Sequence, residues 1–167
     1  MNNALDIAKY TINYSIDINK PITHLKLQKI LYYIQAACLV EMDQPAFCEE
    51  IINWTYGPVV PEVYISFKKY GYSDINQKIL TSSELVIDPE TLDVSFNDIE
   101  FTDDIIDTNT KQLVNKVIKA YDSVSAIKMM KKTHQEDPWR NTKNGDLIGV
   151  DIIREYYLEH KCKLYNL

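Results

Sequence analysis

Glycine and proline are scarce in this chain, at four and six of 167 residues. Such scarcity argues against flexible linkers and leaves a phosphate-cradling glycine loop hard to place. Cysteine is scarcer: Cys38, Cys48 and Cys162 are odd in number and widely spaced. They argue against a disulfide framework, form no pair with metal-ligand spacing, and fit a reducing cytoplasm. No apolar run is long enough to span a bilayer, so no membrane partner is expected. The N-terminal Met1-Asn2-Asn3-Ala4-Leu5-Asp6 lacks the basic flank and apolar stretch of a targeting signal. A nucleophile elbow, a Walker loop, a dinucleotide fingerprint and a zinc pattern are all missing, so neither catalysis nor a metal or cofactor is expected.

What is present suits one domain over 1–167: 46% hydrophobic and 25% charged residues, enough to bury a core without staples. Tyrosine is abundant, at 12 residues; its ring serves core or interface equally well. The net charge of -6 is unevenly distributed. Residues 81–110 hold nine acidic side chains and no Lys or Arg, so the remainder is net basic. A local field of this kind can steer a partner of opposite sign, although a solvated acidic loop and helix start would look the same.

Periodicity predicts a mainly helical α+β fold with a small antiparallel sheet. Leu5, Ala8, Ile12 and Ile16 mark a helix over 3–16. Thr23 is placed to cap a long helix over 24–41, with Leu27, Ile30, Leu31, Ile34 and Cys38 on one face. Ile52, Trp54 and Tyr56 alternate as in a strand, which Gly57-Pro58 ends. Pro61 suits the first turn of the next helix, and Gly71 a C-cap. Short strands are expected over 79–102. Leu113, Val117, Ile118 and Tyr121 mark another helix, Ser125 caps a short one that Pro138 ends, and Ile152, Ile153, Tyr156 and Tyr157 mark the last.

Three groupings could carry function. His134, Glu136 and Asp137 beside Trp139 could form an acid–base or metal cluster. Adjacent carboxylates would not both face one ion on a helix, however, and a helix-terminal His beside a packed Trp is the simpler account. Residues 113–134 could form a helix-turn-helix reaching DNA phosphates with Lys128, Lys131 and Lys132, although the acidic segment would repel DNA. Trp54, Tyr56, Pro58 and Tyr64 could form an exposed recognition patch, but strand alternation and the helical stripe predict that most of these rings turn inward.

Three segments in order resemble the Panacea antitoxin domain family, also described as SocA-like. Leu25 to Ala36 is similar to that family's Leu-Gln-Lys-Leu-Leu-Tyr helix, here with Leu27, Gln28, Lys29, Leu31 and Tyr32, and with Ile30 for the usual Leu. Trp54 to Tyr64, with Tyr56, Gly57, Pro58 and Val59, is similar to its Tyr-Gly-Pro-Val junction. Thr133-His134 with Pro138-Trp139 is similar to its Thr-His and Pro-Trp element. The resemblance implies a cytoplasmic prokaryotic or phage antitoxin that neutralises a cognate toxin, with protease delivery and operator binding known among such proteins, and it implies no enzymatic activity. On this reading the motif residues are scaffold. Segment 79–108 matches no pattern of that family, and its acids Glu100, Asp103, Asp104 and Asp107 are the expected toxin contacts.

Overall fold

The computed structural model describes residues 2–87, Pro89 and 91–165. Its first helix, α1 (Ala4–Asp17), starts at Asn3, whose side chain accepts from the Asp6 N–H at 3.0 Å. After β1 (Ile22–Thr23), the Thr23 hydroxyl accepts from the Lys26 N–H and opens α2 (His24–Glu41). A hairpin follows, β2 (Ile52–Trp54) and β3 (Gly57–Val59), then α3 (Pro61–Phe67) and β4 (Asp74–Ile75). Next come β5 (Thr81–Ile87) and β6 (Val94–Glu100), then α4 (Thr108–Ala120), α5 (Ala126–Thr133), α6 (Asp137–Arg140) and α7 (Val150–Glu159).

The fold is mainly helical α+β, as the periodicity predicts. Among the described residues the strands form three separate antiparallel pairs, β1 with β4, β2 with β3 and β5 with β6. Helices α1, α4, α5 and α7 surround α2. The sequence predicts one apolar face for α2, yet fifteen of its eighteen residues are buried. A helix enclosed on all sides must satisfy its polar side chains internally. Gln35 does so by accepting from the Ala46 and Phe47 N–H groups at 2.8 and 3.3 Å and donating to the Phe47 carbonyl at 3.2 Å. Lys26 donates to the Asp122 carbonyl at 2.9 Å. The polar residues of α2 thus hold the loops that cross it.

Two punctuation marks are read differently by the chain. Gly57-Pro58 does not end a strand; it starts the return strand, and Thr55-Tyr56 is the turn. Gly57 allows this because its φ of +95° is one that L side chains rarely adopt. Pro138 does not end α5, which stops at Thr133 with His134 as its C-cap; Pro138 lies in the first turn of α6 instead.

A second tie sits under α7. Glu136 is buried, and its oxygens accept from Tyr33 at 3.1 Å, Tyr157 at 2.8 Å and Lys132 at 2.8 Å. Tyr33 stacks on Tyr121 with centroids 4.6 Å apart. Burial first, then the Glu136 charge, pushes the phenols of Tyr33 and Tyr121 above their usual range, so both stay protonated. Much of the tyrosine content is therefore internal.

Gln35→Met keeps the volume but leaves buried groups of Ala46 and Phe47 without partners. Each orphaned group should cost about 1–3 kcal/mol. Chemical denaturation should show that loss, and an unchanged midpoint would mean that Gln35 does not hold this loop.

Candidate functional site

The three motif segments, far apart in sequence, meet at the β2–β3 hairpin. Lys29 Nζ donates to the Pro58 carbonyl at 2.8 Å, and Gln28 Oε1 accepts from the Val60 N–H at 2.9 Å. A Cβ added at Gly57 would lie 2.8 Å from both Lys29 Nζ and Thr133 Oγ1, so only glycine fits between α2 and α5. Trp139 Nε1 donates to the Trp54 carbonyl at 3.1 Å. Asn53 donates to the carbonyls of Trp139, at 2.9 Å, and Thr142. Leu27, Leu31 and Tyr32 are buried in the core beneath, and Pro58, Val59 and Pro138 are buried as well.

Asn53, not its neighbours, is the inward residue of β2, because its amide is bonded there. That reverses the expected alternation. Trp54 and Tyr64 are half-buried, and Tyr56 in the turn is 67% exposed, so the inward placement predicted for these rings does not hold. They wall a groove of about 480 Å³, together with Leu25 of α2 and Ile127 and Met130 of α5. Trp54 meets Tyr64 edge-on at 4.9 Å, and His24 packs on Tyr64 at 4.7 Å. His24, Gln28 and Lys68 also line it. Sequence reasoning missed the groove. The available signal was His24 and Gln28, four residues apart and hence on one face of α2.

His134 stacks on Trp139 at 3.9 Å, while Glu136 commits both oxygens to Tyr33, Tyr157 and Lys132. Burial, then the Lys29 charge, lowers the His134 pKa. No cluster of three or more His, Cys, Asp or Glu suited to a metal occurs among the described residues. Helices α4 and α5 do follow one another as the helix-turn-helix expectation requires, and Ser125 caps α5. Of the three lysines, Lys128 and Lys131 are exposed, but Lys132 is committed to Glu136, the Tyr33 hydroxyl and the Lys163 carbonyl.

The acidic segment forms a different surface. Strands β5 and β6 pair with each other alone among the described strands, from Thr81 opposite Glu100 to Ile87 opposite Val94. Leu92, Val94 and Ile99 are exposed on it. Glu100, at the end of β6, and Asp103 and Asp104, just beyond it, are exposed, with Asp103 paired to Lys111 at 3.3 Å. Asp107 is the N-cap of α4, accepting from the Thr110 N–H at 3.0 Å and the Thr110 hydroxyl at 2.6 Å. The Thr110 bonds hold the Asp107 carboxyl below its usual pKa.

Residues 27–140 match the family model described as antitoxin SocA-like, Panacea domain, a span that contains the core of all three motifs and the acidic segment. The chain belongs to this family. It is 24% identical over 145 residues to antitoxin SocA of Caulobacter vibrioides (strain NA1000 / CB15N), covering 83% of this chain and 69% of that protein. No solved structure gives a significant match. No helix among the described residues is long and apolar enough to cross a membrane.

The junction yields two predictions. Gly57→Ala forces a strained φ and a clash with Lys29 and Thr133, and should cost about 1–3 kcal/mol in a thermal melt; an unchanged melt would show the contact is not tight. Burial lowers the Lys29 pKa to about 7 from an ordinary 10.5. Between pH 7 and 9 the unfolded chain therefore binds more protons at this residue, and stability should rise with pH. The slope should not exceed about 1.4 kcal/mol per pH unit. In Lys29→Met this rise should vanish, and an equal slope in both proteins would rule Lys29 out as its source.

Proposed function

We propose that this protein is an antitoxin that binds and neutralises a cognate toxin protein, and that it acts by contact and not by catalysis. Family membership across residues 27–140 carries this reading. The acidic hairpin region supports a particular mode of contact. A two-stranded ribbon standing alone is marginal in water, and an open strand edge invites pairing. Acids flank this one, so the reading is of a toxin with a basic face, drawn in quickly and in a salt-sensitive way. Delivery of the toxin to a protease, which the resemblance implies, would be a separable step, visible as a shortened toxin half-life on co-expression.

The test uses the small reading frame beside this one. Its product should arrest growth when expressed alone and be silenced by this chain; a harmless neighbour would sink the reading. Charge reversal at Glu100, Asp103 and Asp104 together, sparing the Asp107 cap, should slow association with the toxin about tenfold or more at low salt. The melting temperature should hardly move. An unchanged association rate would show that the acids do not steer the toxin.

A further inference from the structure

The aromatic groove is not explained by the acidic hairpin. Gln28 is 2% exposed and His24 6%, yet Gln28 Nε2 and His24 Nε2 have no hydrogen-bond partner. The Gln28 carboxamide cannot usefully turn over, because its oxygen already accepts from the Val60 N–H. Gln28 lines the groove, but its amide nitrogen is enclosed just beneath the surface, so its N–H groups are donors left without an acceptor, a costly arrangement unless something supplies one. The walls around them are apolar and open: Tyr56 is 67% exposed, Tyr72 99% and Ile127 54%. Exposed Tyr and Ile beside Trp54 and Met130 make the composition of an interaction hot spot. No carboxylate lines the groove, although the chain carries -6 overall. Lys68 stands there as an exposed cation that forms no ion pair among the described residues.

Donors without acceptors, apolar walls and an acid-free lining with one lysine define a complementary ligand. We propose that this groove binds an extended segment of the toxin in which a large apolar side chain is followed by Asp or Glu, an assignment that rests on the antitoxin reading above. The apolar side chain lies between Trp54, Tyr64, Ile127 and Met130. The carboxylate faces Lys68 and, as the groove side chains part around the ligand, accepts from the enclosed Gln28 amide. A volume near 480 Å³ suits one or two residues of such a segment. This contact is opposite in sign to the hairpin contact, so the two surfaces would select different features of one partner.

The probe is acetyl-Leu-Asp-amide, titrated into isotope-labelled protein, with acetyl-Leu-Asn-amide and acetyl-Leu-Lys-amide as controls. Shifts should be confined to the groove, led by the Gln28 side-chain amide and the Trp54 indole N–H. The acidic peptide should bind about tenfold more tightly than the lysine peptide, and Lys68→Glu should abolish that preference. Silence at Gln28 and Trp54, or equal binding of all three peptides, overturns the assignment. With the toxin itself, Tyr56→Ala combined with Ile127→Ala should weaken affinity about tenfold or more while the melt is kept, since both side chains are exposed. Unchanged toxin affinity in that variant overturns the groove but leaves the antitoxin reading standing. Absence of any toxin binding by the wild-type chain sinks the antitoxin reading, and the dipeptide titration then decides the groove on its own. A concentration-dependent dimer that disappears in Lys68→Glu would also overturn the assignment, by giving the groove to a second copy of this chain.

Discussion

The structure depends on a helix that has no solvent face. Because α2 is enclosed, each polar side chain on it needs a partner inside the protein, and the nearest partners are the backbones of loops. Gln35 takes the loop at Ala46 and Phe47, Gln28 takes Val60, Lys29 takes Pro58 and Lys26 takes Asp122. An apolar helix could bury the same area, but it would leave those loop groups unsatisfied and the hairpin unplaced. Lys29 is the extreme case. It is fully buried, and its head group is bonded to a carbonyl. Desolvation then drives it toward the neutral amine, which still donates. What looks like a charge in the sequence works near neutrality as a hydrogen-bond donor of fixed reach.

The same logic explains why distant motifs belong together. Gly57 leaves room for the Lys29 amine end and for Thr133, so the glycine of one motif is required by the lysine of another and the threonine of a third. Trp139 bonds the carbonyl of Trp54 and stacks on His134. None of these contacts involves a reacting group. They fix the angle at which a short hairpin leaves the helical body, and with it the position of Trp54 and the Tyr56 turn.

Most helix boundaries were legible because caps and periodicity agree: Thr23 and Ser125 each cap where the pattern begins. The hairpin was less so. Alternation of Ile52, Trp54 and Tyr56 with Asn53 and Thr55 suggested rings inward, because hydrophobicity alone assigns the faces. What decides the matter is α6 and the loop after it, whose Trp139 and Thr142 carbonyls reach the Asn53 amide from more than eighty residues away. No local pattern carries that information. Glu136 was hidden for the same reason: read beside His134 it suggests chemistry, whereas its partners Tyr33 and Tyr157 come from other helices. The acidity of 81–110 was plain, but its division into an exposed group and a helix cap at Asp107 needed the structure.

These constraints separate two kinds of residue. Substitution at Gln28, Lys29, Gly57 or Asn53 disturbs several elements at once, because the first two and Asn53 bond backbone across the junction and Gly57 leaves room for the Lys29 and Thr133 side chains. Change at Tyr56, Ile127, Lys68, Glu100 or Asp104 meets mostly solvent. A binding protein benefits from that division. The rigid interior pre-organises the display surfaces, reducing the entropy lost on association, while the exposed residues can vary in charge and shape without repacking the core. Apolar groove and acidic ribbon are held by one body, so a partner that satisfied both would gain from their fixed separation, whereas a partner matching either alone would bind more weakly.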